Sequence, residues 1–235
     1  MKGIFVNPTA FLDALNKSGI SYLILRNYEN LLSPDFYLNG HGDVDILCED
    51  SRALAKAIGA KSYTNKTKEV CNDGVHYYIL INSEHVSLDL RSVGDGYYCK
   101  KWQEEMLQRR VLHEGFYVMD KYDYLYSLIH HAILQKNKFS SEYKGRLSKM
   151  CSELGIELKE HSIHEFITLL QNYMRENKYC FVYPTDTFVP LRTEFIDKEL
   201  LEMNIALAFS HWKFDTKVKV IEFLVEIKHF LLGQK

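Results

Sequence analysis

Residues 42–48 read Gly42-Asp43-Val44-Asp45-Ile46-Leu47-Cys48, and this stretch decides both the fold and the chemistry expected of the chain. It is short, apolar between its acids and β-favouring, so it predicts a buried strand over 43–48. Side chains alternate across a strand, which places Asp43 and Asp45 on one face and Val44 and Ile46 on the other, towards a core. Two carboxylates are therefore expected to converge.

Two carboxylates that lie on one face of a strand, two residues apart, favour a bound cation. Like charges a few ångströms apart raise one pKa, and a divalent metal removes that conflict. Mg²⁺ takes one or two protein carboxylates and fills its remaining positions with water and phosphate oxygens. A third acid, Asp89, lies in the apolar run 86–90, and a neighbouring strand would bring it to the pair.

Three acids on two adjacent strands suit a two-metal site. One Mg²⁺ then binds the triphosphate and stabilises the leaving pyrophosphate, and the other lowers the pKa of an acceptor hydroxyl. Asp89 can help to take the proton of that hydroxyl. This is the chemistry of nucleotidyl transfer.

Caps and periodicity predict the elements around the strand. The loop before it is polar and contains Pro34, Asn39, Gly40 and Gly42. The predicted elements are a helix opened by Asn7 and Pro8 and ended at Gly19, a strand over 21–26, a helix over 51–58 ended at Gly59, and hairpin strands over 75–81 and 86–90. This first part of the chain thus combines helices with a sheet.

Beyond the turn Gly94-Asp95-Gly96 the 3.6-residue period dominates. One helical stripe is formed by Tyr122, Leu125, Tyr126, Ile129 and Ile133. Further helices are predicted near 145–155, 163–177, 198–210 and 214–232. The predicted fold class is α+β, with a mixed or antiparallel sheet and flanking helices in a domain over 1–95 and a mainly helical domain over 96–235. The segment 183–190 reads as a second break, between helices.

The composition restricts which binding partners and which cellular compartment are expected. The 235 residues are 46% hydrophobic and 26% charged, which indicates an ordered globular chain. The net charge of −2 argues against long nucleic acid as a main partner, since that role favours a basic excess. Five scattered cysteines suggest neither a zinc knuckle nor a disulfide framework, which fits a reducing cytoplasm. No apolar window is long enough for a signal peptide or a membrane span.

The predicted elements follow the order helix, strand, loop, strand, helix and later strand. The strand after the loop begins Gly42-Asp43-Val44-Asp45, and the later strand contains Asp89. This order resembles the nucleotidyltransferase superfamily that includes DNA polymerase beta. The resemblance covers roughly residues 1–95. It implies that Asp43, Asp45 and Asp89 bind Mg²⁺ and are the catalytic acids, and that a nucleoside triphosphate is a substrate.

The chain departs from that family at one place. Most active members have Gly-Ser at the end of the preceding strand, where it holds the nucleotide phosphates, and this chain has Arg26-Asn27. Arg26 can replace that contact with a charge-assisted bond to phosphate. Arg26 and Asn27 are therefore candidate phosphate-binding residues.

A weaker resemblance to known proteins extends into the second half of the chain. The segments 90–98 and 126–136, with Trp102 between them, look similar to uncharacterised nucleotidyltransferase-like proteins of bacterial surface-polysaccharide synthesis. This likeness implies a sugar, polyol or phospho-sugar acceptor, held between the sheet and the helical half.

Four further side chains have two interpretations each. Arg91 shares the face of Asp89 by strand alternation and is open to an ion pair or a phosphate contact. Lys136 is a candidate phosphate ligand in a basic stretch that is ordinarily a solvated helix end. His130 and His131 lie beside an apolar stripe, where a histidine is more often packed than catalytic.

Three functions follow. The first is a Mg²⁺-dependent nucleotidyltransferase acting on a small acceptor, in which Asp45→Ala abolishes pyrophosphate release and leaves the fold intact. The second is a non-catalytic protein of the same fold that binds a ligand or a partner, as antitoxin-like members do. The third is an antibiotic-modifying nucleotidyltransferase, which differs from the first in its acceptor.

Overall fold

The computed structural model describes residues 3–33, 43–63 and 74–231. The turn residues Pro34, Asn39, Gly40 and Gly42 and the thiol of Cys71 lie outside these described residues. The fold is α+β, as predicted, with a large mixed sheet and a second half that is mainly helical.

The central sheet has eight strands among the described residues. These are β1 (Ile4–Phe5), β2 (Tyr22–Ile24), β3 (Asp43–Cys48), β4 (Lys61–Ser62), β5 (His76–Ile81), β6 (Glu84–Ser92), β7 (Val111–His113) and β8 (Phe116–Val118). Their spatial order is β1-β5-β6-β3-β2-β8-β7, and β4 also pairs with β5. The central strand β3 is parallel to β6 and antiparallel to β2, so its residues lie between those of β6 and β2.

Helices account for most of the remainder of the described chain. They are α1 (Pro8–Lys17), α2 (Ser51–Ile58), α3 (Lys100–Arg109), α4 (Lys121–Ile129), α5 (Ser141–Glu153), α6 (Ile163–Asn177) and α7 (Ile205–Leu231). A π-helix, His130–Gln135, continues α4 directly. A small parallel sheet pairs β9 (Phe181–Val182) with β10 (Leu201–Glu202).

The predicted caps form as expected in the first two helices. Asn7 accepts a hydrogen bond from the backbone N–H of Ala10 at 2.8 Å, and Pro8 opens α1. Asp50 caps α2, which ends at Gly59 in the left-handed conformation with φ +72°. The bounds of α2 and of β3 agree with those predicted from sequence.

Strand alternation divides the interior into two cores, one on each face of the sheet. Val44 and Ile46 of β3 are buried on the face covered by α1 and α2, as predicted. Leu47 belongs to the other core, which the sheet forms with α3, α4, α5 and α6. Asp43 and Asp45 share the face of Leu47 and therefore point towards the helical half.

A buried acid joins the helices of that half. Asp123 of α4 is fully buried and accepts hydrogen bonds from Trp102 Nε1 at 2.8 Å, from Arg109 at 2.9 and 3.1 Å, and from the Tyr173 hydroxyl at 2.9 Å. These donors come from α3 and α6. The carboxylate thus connects three helices, and its charge is balanced by the Arg109 guanidinium.

One hairpin was not predicted from sequence. β7 and β8 lie beyond residue 95 but belong to the central sheet, with Ile24 of β2 aligned with Val118 of β8. Strands of three residues are too short to show alternation, and only the turn Glu114-Gly115, with φ values of +47° and +92°, marks the hairpin. The sheet therefore continues on both sides of the predicted boundary at residues 95 and 96, which stays a prediction.

The predicted helix over 198–210 is wrong in its first half. Residues Lys198–Leu200 form a 3₁₀ turn and 201–202 form β10, because this segment pairs with β9. The helix begins only at Ile205, where the Asn204 side chain accepts from the N–H of Leu207 at 3.1 Å, and it continues without a break through the region predicted as a separate helix over 214–232. No helix of the described ranges is long and apolar enough to cross a bilayer.

Candidate functional site

The pairing of β3 with β6 brings the three predicted acids to one face of the sheet. Asp45 and Asp89 are aligned partners on these parallel strands, and Asp43 is aligned with Ser87. Neighbouring strands lie about 4.8 Å apart, so the Asp45 and Asp89 side chains leave the sheet side by side. The strand neighbour inferred for Asp89 from sequence is therefore confirmed.

Arg26 occupies the position just beyond β2, next to Asp45. The antiparallel register of β2 and β3 continues through a hydrogen bond from Leu25 N to Asp45 O at 2.9 Å. Arg26 Nη2 then lies 2.9 Å from Asp45 Oδ2, and both side chains are largely buried. The positive charge of Arg26 therefore balances Asp45 in this arrangement.

Arg91 interacts with Asp89 in a similar way, two residues along β6. Its Nη2 lies 3.7 Å from Asp89 Oδ2, and its Nη1 donates to Asp186 Oδ2 at 3.0 Å. The guanidinium carbons of Arg26 and Arg91 lie 5.7 and 4.5 Å from the centre of the Tyr97 ring. The Tyr97 ring thus packs against both guanidinium groups.

A segment from the second half covers these charges. We call residues 183–190 the cover loop. It is held by the Gly94–Gly96 turn, because Thr185 N donates to Asp95 O at 2.8 Å and Gly96, at φ +76°, leaves no room for a Cβ, which would lie 2.5 Å from Tyr183 O. The turn expected from sequence therefore also anchors the loop above the acids.

The acids and arginines line a cavity of about 270 Å³, the site cavity. Every site residue predicted from sequence lies in its wall, namely Arg26, Asn27, Asp43, Asp45, Asp89, Arg91 and Lys136. Residues that sequence reasoning did not assign to the site also line it, namely Tyr97, His131, Gln135, Tyr143, Phe188, Val189 and Pro190. Of these, only the spacing of His131 and Gln135, one helical turn apart, offered a signal.

The π-helix supplies one wall of the site cavity. His131 Nδ1 lies 3.0 Å from Gln135 Oε1, and Lys136 follows as the first residue after the helix. Burial is the main reason that the pKa of His131 falls to about 2, and the charge of Arg26 lowers it further. His131 is therefore a neutral hydrogen-bonding group. His130 faces the aromatic core, where burial lowers its pKa to about 3.

Burial and the charge of Asp45 raise the pKa values of the two neighbouring acids. Burial raises the pKa of Asp43, and the charge of Asp45 adds to this effect. Burial and then Asp45 also raise the pKa of Asp89, although Arg91 and His76 oppose the rise. The cluster therefore favours an added positive charge, as expected for carboxylates that meet without enough counter-charge.

Asn27 adopts the left-handed backbone conformation with φ +55°, which Asn tolerates better than most residues other than glycine. Its Oδ1 accepts a hydrogen bond from Arg146 Nη1 at 3.0 Å. The Arg26-Asn27 pair thus places one side chain against Asp45 and anchors the other to α5.

The donor chemistry of the cluster fits Mg²⁺, which prefers carboxylate oxygens. Asp43 forms no ion pair with any residue the structure describes, whereas Asp45 and Asp89 each have one oxygen near an arginine. In this arrangement, no group of three or more acidic, imidazole or thiol side chains within the described ranges is placed to hold a metal ion. Mg²⁺ would compete with Arg26 and Arg91 for the oxygens of Asp45 and Asp89 that these arginines contact.

Comparison of the chain with protein-family models, with curated proteins and with solved structures gives no match. The resemblance to nucleotidyltransferases thus stays a prediction that rests on the motif. What can be argued about function follows from the geometry of the site cavity.

Proposed function

We propose that this protein is a Mg²⁺-dependent nucleotidyltransferase that moves a nucleoside monophosphate from a nucleoside triphosphate to a small acceptor. The acceptor class proposed is a sugar, polyol or phospho-sugar. The observation that carries the proposal is the register of β3 on β6, which places Asp43, Asp45 and Asp89 on one face. The cavity above them also contains three cationic side chains, which suit a polyphosphate.

Asp43, Asp45 and Asp89 are the residues that would hold the metal. When bound, Mg²⁺ supplies charge neutralisation for the triphosphate and lowers the pKa of an acceptor hydroxyl. Asp43 is the most accessible of the three acids, since it is solvent-exposed at the end of β3.

The proposed reaction forms one bond and breaks another at the α-phosphorus. The acceptor hydroxyl oxygen attacks this phosphorus, the bond to the pyrophosphate oxygen breaks, and pyrophosphate leaves. The hydroxyl proton passes to the Asp89 carboxylate, which is aligned with Asp45 on the neighbouring strand. Arg26 and Arg91 position the phosphates, and the cover loop limits the access of water.

The test is metal-dependent pyrophosphate release with each of the common triphosphates and a panel of sugars, polyols and sugar phosphates. We expect Asp43→Asn to lower the rate about 100-fold or more, the scale seen when one group that stabilises charge in the transition state is removed. Asp13→Asn is the matched control, because Asp13 is an exposed acid of α1, on the opposite side of the sheet. Normal turnover by Asp43→Asn would rule out the mechanism.

A non-catalytic binding protein is the second candidate. The observation that favours it is the pairing of Asp45 with Arg26 and of Asp89 with Arg91, which already balances two of the three acids. Such a protein would show no Mg²⁺-dependent affinity for any triphosphate in calorimetry. An antibiotic-modifying enzyme, by contrast, would release pyrophosphate only when the drug is added.

A further inference from the structure

Three buried hydrogen-bond donors around the site cavity have no partner within the described chain. They are Arg26 Nη1, Arg91 Nε and Gln135 Nε2. The three residues are 7%, 3% and 6% exposed, and all of them line the site cavity. A buried donor without an acceptor destabilises a fold, so three of them around one cavity are unusual.

The contacts of these side chains explain why their free atoms remain available. Asp45 forms an ion pair with Nη2 of Arg26, and Asp186 forms one with Nη1 of Arg91. Both guanidinium groups also contact the Tyr97 ring. Gln135 Oε1 faces neutral His131, which orients the amide so that its nitrogen is unpaired. The donors are therefore fixed by neighbours before any ligand is present.

All three unpaired atoms are donors, and two of them carry positive charge. Guanidinium and amide N–H groups arranged in this way match an oxyanion with several acceptor oxygens, of which a phosphoryl group is the best fit. Lys136 adds an exposed ammonium in the same cavity wall, and it forms no ion pair with a residue of the described ranges. Three cations share the cavity wall with the three acids, and the unpaired N–H groups of Arg26 and Arg91 offer an anion donors of its own there.

We propose that Arg26, Arg91 and Gln135 form a phosphoryl-binding subsite in which side chains perform the task that Gly-Ser backbone groups perform in the resembled family. Gln135, on the π-helix, is the new member of this set. This proposal rests on the proposed function, which identifies the substrate as a nucleoside triphosphate. It adds that these three side chains bind a phosphoryl group of that substrate.

The experiment measures binding of inorganic pyrophosphate by calorimetry at pH 7 and low salt, in EDTA and again with Mg²⁺. We expect Gln135→Met, which keeps the side-chain length and removes the donor, to weaken pyrophosphate binding about 10-fold, and Lys136→Met to weaken it less. Gln171→Met is the matched control, because Gln171 is an equally buried glutamine of α6 outside the site cavity. It should bind pyrophosphate like the unchanged protein.

Malonate, a dianion at pH 7 that carries less charge than pyrophosphate, provides a carboxylate as a second ligand. The phosphoryl assignment is overturned if malonate binds as tightly as pyrophosphate, if pyrophosphate does not bind in either buffer, or if Gln135→Met binds it normally. Thermal unfolding of each variant with and without pyrophosphate checks that the site is still folded, and the subsite predicts a smaller ligand-induced rise in Tm for Gln135→Met.

The two proposals fail in different ways. Pyrophosphate binding that depends on Gln135, without turnover of any triphosphate, supports the subsite and contradicts the transferase. Turnover that does not depend on Gln135 supports the transferase and contradicts the subsite.

Discussion

Asp43 and Asp45 lie two positions apart on β3, yet their surroundings differ. Asp45 is buried against Arg26, whereas Asp43 is exposed and has no ion pair within the described ranges. Substitutions at these two positions therefore have different consequences for the fold, although both acids belong to the same proposed metal site.

Asp43→Asn should stabilise the metal-free protein slightly and abolish stabilisation by Mg²⁺. Because the pKa of Asp43 is raised in the folded state, this group favours folding when protonated, and that contribution is lost as pH rises through the raised pKa. Asparagine stays neutral, so at pH 7–8 we expect a Tm about 1–2 °C higher without metal, a small value because the side chain is exposed.

Differential scanning fluorimetry with EDTA and with Mg²⁺ measures both effects. The unchanged protein should gain stability with Mg²⁺, and Asp13→Asn should behave like it. An equal Mg²⁺-induced rise in Tm for Asp43→Asn would contradict the assignment of this residue as a ligand.

Asp45→Ala should destabilise the fold, contrary to the expectation from sequence that the fold stays intact. The change leaves the Arg26 guanidinium buried without its carboxylate, which we expect to lower the free energy of unfolding by about 3 kcal/mol. Urea unfolding followed by circular dichroism measures this. The double variant Arg26→Met with Asp45→Ala should lose less than the sum of the two single changes.

Glu104→Ala is the control for that experiment. It removes an exposed partner of Lys100 and should change stability by less than about 0.5 kcal/mol. A loss at Asp45 no greater than the loss at Glu104 would show that the buried pair does not support the fold.

The π-helix is the element that joins the acidic face of the sheet to the helical core. Its wider turn is a feature that often marks functional sites, and here it carries His131 and Gln135 into the site cavity while His130 packs between Tyr98 and Phe181. Both histidines are buried and neutral. We therefore expect this element to contribute to loss of stability in acid.

His130→Phe should reduce this acid sensitivity. The pKa of His130 falls from an unfolded value near 6.5 to about 3, mainly through burial, so its neutral form favours folding and stability is lost as pH falls below about 6.5. The loss is up to about 1.4 kcal/mol per pH unit for this residue. Phenylalanine fits the aromatic surroundings and cannot take up the proton.

Chemical unfolding at pH 7, 6, 5 and 4 tests the effect. We expect the stability of His130→Phe to fall less steeply with decreasing pH than that of the unchanged protein. His85→Phe, at an exposed position of the β5–β6 hairpin, is the control and should leave the slope unchanged. Equal slopes for the two variants would show that His130 is not responsible.

The whole molecule depends on contacts across the predicted boundary at residue 95. β8 pairs with β2, and Leu23, Leu25 and Leu47 of the sheet are fully buried in the core shared with α3–α6. The site cavity likewise takes its acids from the sheet and Gln135 and Lys136 from the helical half.

A fragment of residues 1–95 should therefore fail to form a stable fold. It would expose three leucines whose burial contributes about 1.5–3 kcal/mol each, which is comparable to the total stability of a small domain. Circular dichroism, dye binding and amide chemical-shift dispersion, with the full chain as control, measure the outcome. Cooperative unfolding of the isolated fragment would instead support a separate domain over 1–95.

Much of the site was predictable from the strand period and from the resemblance to nucleotidyltransferases. The alternation over 43–48 placed both acids on one face, and all seven predicted side chains line the site cavity. Sequence reasoning missed the β7–β8 hairpin, because strands of three residues carry too little periodicity. It also missed Asp186 and the cover loop, because their contacts join positions far apart in the chain.

Local propensity and the two-residue period of a strand were enough to predict the start of α1, the strand β3 and the shared face of Asp43 and Asp45. The alignment of Asp45 with Asp89, the pairing of these acids with Arg26 and Arg91, and the place of Gln135 in the same cavity became visible only in the folded chain. Each of these contacts depends on strand register and on packing between distant segments, which no local pattern encodes.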